Sequence, residues 1–171
     1  MISERSLTLS ERLVKPAVRI GLDVSGPEEI LSELAEQARQ QGLVNDQRVF
    51  LEHLKKREAE MSTGVGRGLA VPHAEVPGAK STFVLGATLK NPIEYSSIDG
   101  VPVDVIFLIG GKPGEVGLHL QLLARIARMA RQTGFLSKLR EQKTSEGFIA
   151  VVEEAESSIY PSETSSAEFS A

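Results

Sequence analysis

Seven residues, Val103-Asp-Val-Ile-Phe-Leu-Ile109, constrain this chain more than any others. Six of them are apolar. A strand with one wet face alternates polar and apolar residues, so a run without alternation has to be covered on both faces. That places it at the centre of a sheet with helices packed above and below. Its uninterrupted apolar part, Val105–Ile109, falls far short of the ~18 residues that a membrane-spanning helix needs.

The flanking sequence supplies the covers. Val18–Asp23 and Thr82–Leu89 have the short patterns of further strands. Ser25-Gly-Pro-Glu-Glu29 reads as a helix start, with Ser25 as a cap, a proline in the first turn and two carboxylates facing the helix dipole. Ile30, Leu31, Leu34, Ala35 and Ala38 then recur at helical spacing until Gly42. A second helix is expected over Asp46–Met61, a third over Leu118–Ala130, and two shorter ones over about 134–142 and 145–155. Helices before, between and after strands imply a three-layer α/β sandwich around one core, which suits a single domain of this length. Strand order is not legible from the pattern.

Composition excludes whole classes of function. The chain has 171 residues and no cysteine, so disulfides, thiolate nucleophiles and Cys-based metal sites are ruled out. No other metal-ligand cluster is apparent, and no metal or cofactor is expected. The formal charge of −4 argues against a nucleic-acid binder working through bulk basicity. Five of the 23 acidic residues (153, 154, 156, 163 and 168) fall after residue 152, where there is no Lys or Arg; before it, 19 basic residues face 18 acidic ones. Residues 157–171 read as an acidic, Ser-rich disordered tail. The first residues alternate charged and apolar side chains without a signal-peptide core, so no membrane insertion is expected and a cytoplasmic location is.

Chemistry is concentrated in Ser62-Thr-Gly-Val-Gly-Arg-Gly-Leu-Ala-Val-Pro-His73. Gly64, Gly66 and Gly68 give the backbone access to positive φ and remove side chains from its approach, so successive N–H groups could cradle an anion. Leu69–Val71 is extended, and Pro72 disfavours helix before His73. A neutral imidazole titrates near physiological pH and offers a lone pair that can attack phosphorus without prior deprotonation. The glycine-loop amides, the Ser62 and Thr63 hydroxyls and the upstream Arg57 guanidinium could stabilise the transferring group. A glycine-rich turn followed by a structural histidine would give the same spacing. No Gly-Lys-Ser/Thr follows, which argues against a nucleotide loop. His73-Ala-Glu75 echoes a zinc deaminase only until the missing cysteines are counted.

These residues resemble a known signature. Arg57-Glu58 with Ser62–His73, then Pro92-Ile93, Ile98-Asp-Gly-Val-Pro-Val-Asp104 and His119-Leu-Gln-Leu-Leu-Ala124, resemble the type 2 IIA proteins of the bacterial sugar phosphotransferase system, over roughly residues 7–155. That family includes fructose/mannitol-like IIA domains and nitrogen-regulatory IIA proteins. The resemblance implies an α/β/α sandwich with a mixed sheet over residues 1–156. It implies that His73 receives a phosphoryl group on Nε2 from the phosphocarrier HPr or its nitrogen-branch relative. Arg57 then matches the arginine that neutralises the group, and His119 the second active-site histidine.

The resemblance leaves the pathway open. A nitrogen-regulatory protein acting on target proteins is favoured modestly by a chain carrying one IIA-like domain. A sugar-specific IIA passing phosphate to a IIB domain is the alternative, and a non-catalytic binding module a third. His119 is expected at the opening of its helix, where the dipole disfavours imidazolium; packing on the Leu123/Ile126 stripe is the competing role. His53 matches no motif and reads as a helix-surface residue. Arg67 adds positive charge beside the loop or is simply solvated, and Glu75 could orient His73 or repel phosphate.

Overall fold

The computed structural model describes residues 8–161. Among them are six strands and six α-helices: α1 (Leu9–Arg12), β1 (Arg19–Leu22), α2 (Pro27–Gln40), α3 (Gln47–Glu60), β2 (Gly64–Gly66), β3 (Leu69–Ala70), β4 (His73–Glu75), β5 (Phe83–Ile93), β6 (Val103–Gly111), α4 (Val116–Ala130), α5 (Phe135–Glu141) and α6 (Ser145–Ile159). A single 3-10 turn, Lys15–Ala17, joins α1 to β1.

The sheet is mixed, in the order β1-β5-β6-β3-β2, with β4 also paired to β6. The apolar run is central as expected. β6 is antiparallel to β5 on one side and parallel to β3 and β4 on the other. Its alternation separates two cores. Ile106 and Leu108 face Ile30, Leu34, Phe50 and Leu54 of α2 and α3. Val105, Phe107 and Ile109 face Leu122, Ile126, Leu139 and Phe148 of α4, α5 and α6. This is the three-layer sandwich, with both faces of one strand buried because both carry large apolar side chains.

Local signals set the helix ends. Pro27 opens α2, but its cap is Gly26; the amide and hydroxyl of Ser25 both donate to Glu29 Oε2 instead. Gly42, at φ 71°, closes α2. Its N–H bonds Arg39 O, and Leu43 N–H bonds Ala38 O, the paired closure that a left-handed residue allows. Asp46 Oδ1 accepts from Arg48 N and Val49 N at the start of α3.

Two sequence expectations shift at the C-terminal side. α6 runs to Ile159, past the residue 157 at which a tail was expected. Tyr160 follows it, its ring 3.8 Å beneath the Arg125 guanidinium. The late acidity belongs partly to this helix. Glu153 pairs with Lys15 at 3.3 Å. Glu156, 5% exposed, accepts from Leu9 N, Ser10 N and Ser10 Oγ and pairs with Arg125. The rest of the expected tail, from Ser162 on, lies outside the described residues.

Candidate functional site

β3 and β4 are two pieces of one extended run along β6, interrupted at Val71-Pro72. His73 pairs with Ile109 near the C-terminal end of β6, where α/β sheets commonly bind ligands. The last turn of α3 reaches this end from one layer and the first turn of α4 from the other. Between them lies an open cleft of about 570 Å³ lined by Arg57, His73, Val116, His119, Leu120 and Leu123, with Glu52, Lys56 and Glu75 also on its wall.

His73 has a defined tautomer. Nδ1 lies 2.8 Å from Val71 O, and a carbonyl oxygen can only accept, so Nδ1 carries the hydrogen. Nε2 then holds the lone pair. Burial holds the His73 pKa below the usual histidine value; the Arg57 charge pushes the same way, while the Val71 bond and Glu58 oppose it. The imidazole is therefore neutral at pH 7.

His119 meets His73 edge to face, ring centroids 5.2 Å apart at 89°. Burial and the neighbouring His73 lower its pKa to about 4. Its Nε2 is buried without a hydrogen-bond partner among the described residues. The ring fits because residue 111 is glycine: a Cβ there would sit 2.8 Å from His119 Nδ1. α4 begins at Val116, two residues before the expected Leu118, so His119 lies inside the first turn and its N–H is taken by Glu115 O. It contributes its ring, not its amide.

Arg57 Nη1 donates to Met61 O at 3.1 Å, which holds the guanidinium at the cleft wall. Val116 and Leu120 are 55% and 61% exposed and give the cleft an apolar rim. His53 is an exposed residue of α3, as expected, but it also lines the cleft. Glu75 is exposed and makes no hydrogen bond to His73.

The glycine segment departs from the sequence reading. Gly64–Gly66 is a strand, and Gly66, Arg67 and Gly68, all at positive φ, form the turn back into β3. Gly68 O accepts from Asp104 N at the start of β6. His73 lies beside Ile109, five strand residues further on, or roughly 16 Å. The turn amide of Arg67 is bound to Asp99 Oδ2, and the Gly64 amide to Ser62 Oγ. Gly66 and Gly68 therefore turn away from His73, while Gly64, level with Ala70, keeps its amide on Ser62 Oγ. A Cβ would strike Ser97 at Gly64 and Arg140 at Gly68, and at Gly66 it would crowd Asp99 in a left-handed backbone.

The other polar candidates are committed elsewhere. Ser62 Oγ donates to Tyr95 O at 2.6 Å. Thr63, 4% exposed, donates its amide and hydroxyl to Glu58. Arg67 Nη1 donates to Ala130 O at the end of α4, a structural role far from the histidine. The structure brings together Arg57, His73 and His119, and leaves the remaining candidates outside the cleft. Glu58, which the sequence reading left without a role, faces both Thr63 and the His73 field.

Comparison with known proteins decides the family. The sequence model described as "Phosphoenolpyruvate-dependent sugar phosphotransferase system, EIIA 2" matches residues 12–155. The chain belongs to this EIIA 2 family. A nitrogen regulatory protein of Bradyrhizobium diazoefficiens is 35% identical to this EIIA 2 chain over 146 residues, covering 85% of it and 95% of the relative. The mannitol-specific phosphotransferase enzyme IIA component of Staphylococcus aureus is 30% identical over 148 residues, covering 86% and 99%. The solved nitrogen regulatory protein IIA-Ntr of Neisseria meningitidis superposes with a TM-score of 0.79 at 24% identity, covering 84% of this chain and 97% of that one, which shows the fold. EIIA 2 proteins are components of a phosphotransferase system. Among the described residues no helix is long and apolar enough to cross a membrane.

Proposed function

We propose that the protein is a phosphoryl carrier in which His73 Nε2 accepts a phosphoryl group from a phosphohistidine donor of the HPr type. One observation carries the reading: the Nδ1–H···O bond to Val71 leaves Nε2 as the free nucleophilic nitrogen beside His119 and Arg57. The Nε2 lone pair attacks phosphorus, the donor's P–N bond breaks, and its electron pair returns to the donor ring. No proton has to move at the attacking atom. Positive charge grows on the His73 ring as the bond forms, and the Val71 carbonyl, already bonded to Nδ1–H, stabilises it.

Arg57 and His119 divide the work on the phosphoryl oxygens. The guanidinium supplies charge and a planar pair of donors. His119, kept neutral by its lowered pKa, supplies an N–H from Nε2 without adding a second full charge. The apolar rim of Val116 and Leu120 around a polar centre suits a protein surface as the donor. Incubation with the phosphorylated carrier tests this: wild type is labelled, and His73→Ala is not.

The 35% identity to a nitrogen regulatory protein supports a regulatory role, in which the phosphorylation state of His73 selects protein partners in the cytoplasm. The 30% identity to a mannitol-specific IIA component supports the second reading, transfer onward to a IIB domain. Affinity capture with wild type and His73→Ala separates them: capture of a IIB protein alone excludes the regulatory role.

A further inference from the structure

Arg57 and Glu58 are consecutive on the last turn of α3, about 100° apart around the helix, so they serve different sides. Arg57 faces the cleft. Glu58 turns to the connection between α3 and β2 and grips one residue there twice: Oε1 accepts from Thr63 N at 2.8 Å and Oε2 from Thr63 Oγ1 at 2.6 Å. Between helix and grip lies Met61, extended at φ −162°, whose carbonyl holds the Arg57 guanidinium.

The same threonine leads to the histidine. Thr63 O accepts from Val71 N at 3.0 Å, and Val71 O accepts from His73 Nδ1 at 2.8 Å. Two arms therefore leave one joint. One runs through Met61 O to Arg57, the other through Val71 to His73. All the polar groups of Thr63 are used, and it is almost fully buried.

We propose that Glu58 and Thr63 form a positioning joint that sets the geometry of Arg57 relative to His73. This rests on the reading of His73 as phosphoryl acceptor and adds two residues that act through others, touching no phosphoryl group themselves. The α3 C-cap is Met61; ending the helix does not require Glu58 to grip Thr63, the residue whose carbonyl is hydrogen-bonded to Val71 next to the nucleophile. Misplacement of a charged clamp by about 1 Å costs on the order of a hundredfold in rate, so such a joint has a direct consequence for transfer.

The test must separate positioning from charge, because Glu58 also acts on His73 through its field, as does Arg57, while the neutral His119 lies against its ring. Thr63→Val removes the hydroxyl without changing any charge, and Thr63→Ser restores it. The readout is the pKa of His73, followed by NMR of its ring with and without Arg57→Ala. In the wild type, Arg57→Ala raises that pKa, since the Arg57 charge lowers it. With Thr63→Val the rise shrinks, and with Thr63→Ser it returns. An equal rise in wild type and Thr63→Val overturns the proposal. If Thr63→Val does not fold, Thr63→Ala, which also changes no charge, carries the same comparison, and an equal rise has the same meaning. Labelling by the phosphorylated carrier is measured alongside; Thr63→Val slows it ten- to a hundredfold. A wild type that takes no label refutes the carrier reading and leaves the joint to be judged by the pKa comparison, whereas a labelled wild type with equal rises refutes the joint alone.

Discussion

Protonation of His119 should destabilise the folded protein, and the size follows from its environment. Its pKa falls from 6.5 to about 4 because burial and His73 disfavour the cation. The unfolded chain binds a proton at His119 as pH drops through 6.5, whereas the folded chain does so only near 4. Between these values the unfolded state holds more protons, so stability falls as pH falls. Above 6.5 the contribution is constant, and below about 4 the loss is complete. At pH 5 the full shift corresponds to about 2 kcal/mol. His119 is only half-buried at the cleft mouth, and screening by water brings the expected loss to about 1 kcal/mol. Urea denaturation at pH 8 and pH 5 measures it, with His119→Gln as the reference that cannot titrate. Wild type should lose about 1 kcal/mol more than the variant between the two pH values. Parallel losses would refute the argument that His119 is held neutral by its surroundings.

Three substitutions probe other parts of the account. Gly111→Ala puts a methyl 2.8 Å from His119 Nδ1; it should turn the ring away from His73 and slow phosphoryl transfer about tenfold or more, and an unchanged rate would contradict a role for the His119 ring. Glu156→Ala removes the acceptor shared by Leu9, Ser10 and Arg125; denaturation should show a loss of about 3 kcal/mol, with His73 still labelled. Arg67→Ala removes a hydrogen bond to Ala130 O and should cost about 1 kcal/mol without slowing transfer; a loss as deep as that of Arg57→Ala would return Arg67 to the phosphoryl site.

The parts of this structure that could be read from sequence share a cause: each is fixed by a local pattern. Val103–Ile109 announces a doubly covered strand because a lack of alternation has one remedy. Asp46 and Gly42 mark helix ends through capping chemistry that acts over a few residues. The helical stripes of α2 and α4 repeat the core they bury. Residue chemistry singles out His73 and Arg57, the resemblance adds His119, and the cleft brings the three together.

What was not legible depends on how distant segments meet. Gly66 and Gly68 precede His73 closely in the chain, but closeness in sequence is not closeness in space. An extended chain separates residues by ~3.3 Å each, so β3 carries the turn away from the histidine. β4 has three residues, too few for any periodicity. Glu58 and Thr63 have no pattern linking them, because their pairing arises only when the chain doubles back at Met61. Similarly, nothing in Ser157-Ser158-Ile159 resembles a helix continuation except the apolar Ile159, which packs at the edge of the α4–α6 core.

The central claim is that Nε2 of His73 is the phosphoryl acceptor because Nδ1 is tied to Val71. NMR of the ring-nitrogen-labelled protein after incubation with the phosphorylated carrier measures this directly, through the coupling between phosphorus and nitrogen. One phosphohistidine is expected, on His73, with phosphorus bonded to Nε2 and the hydrogen retained on Nδ1. Phosphorus on Nδ1 of His73, or on His119 or His53, would contradict it.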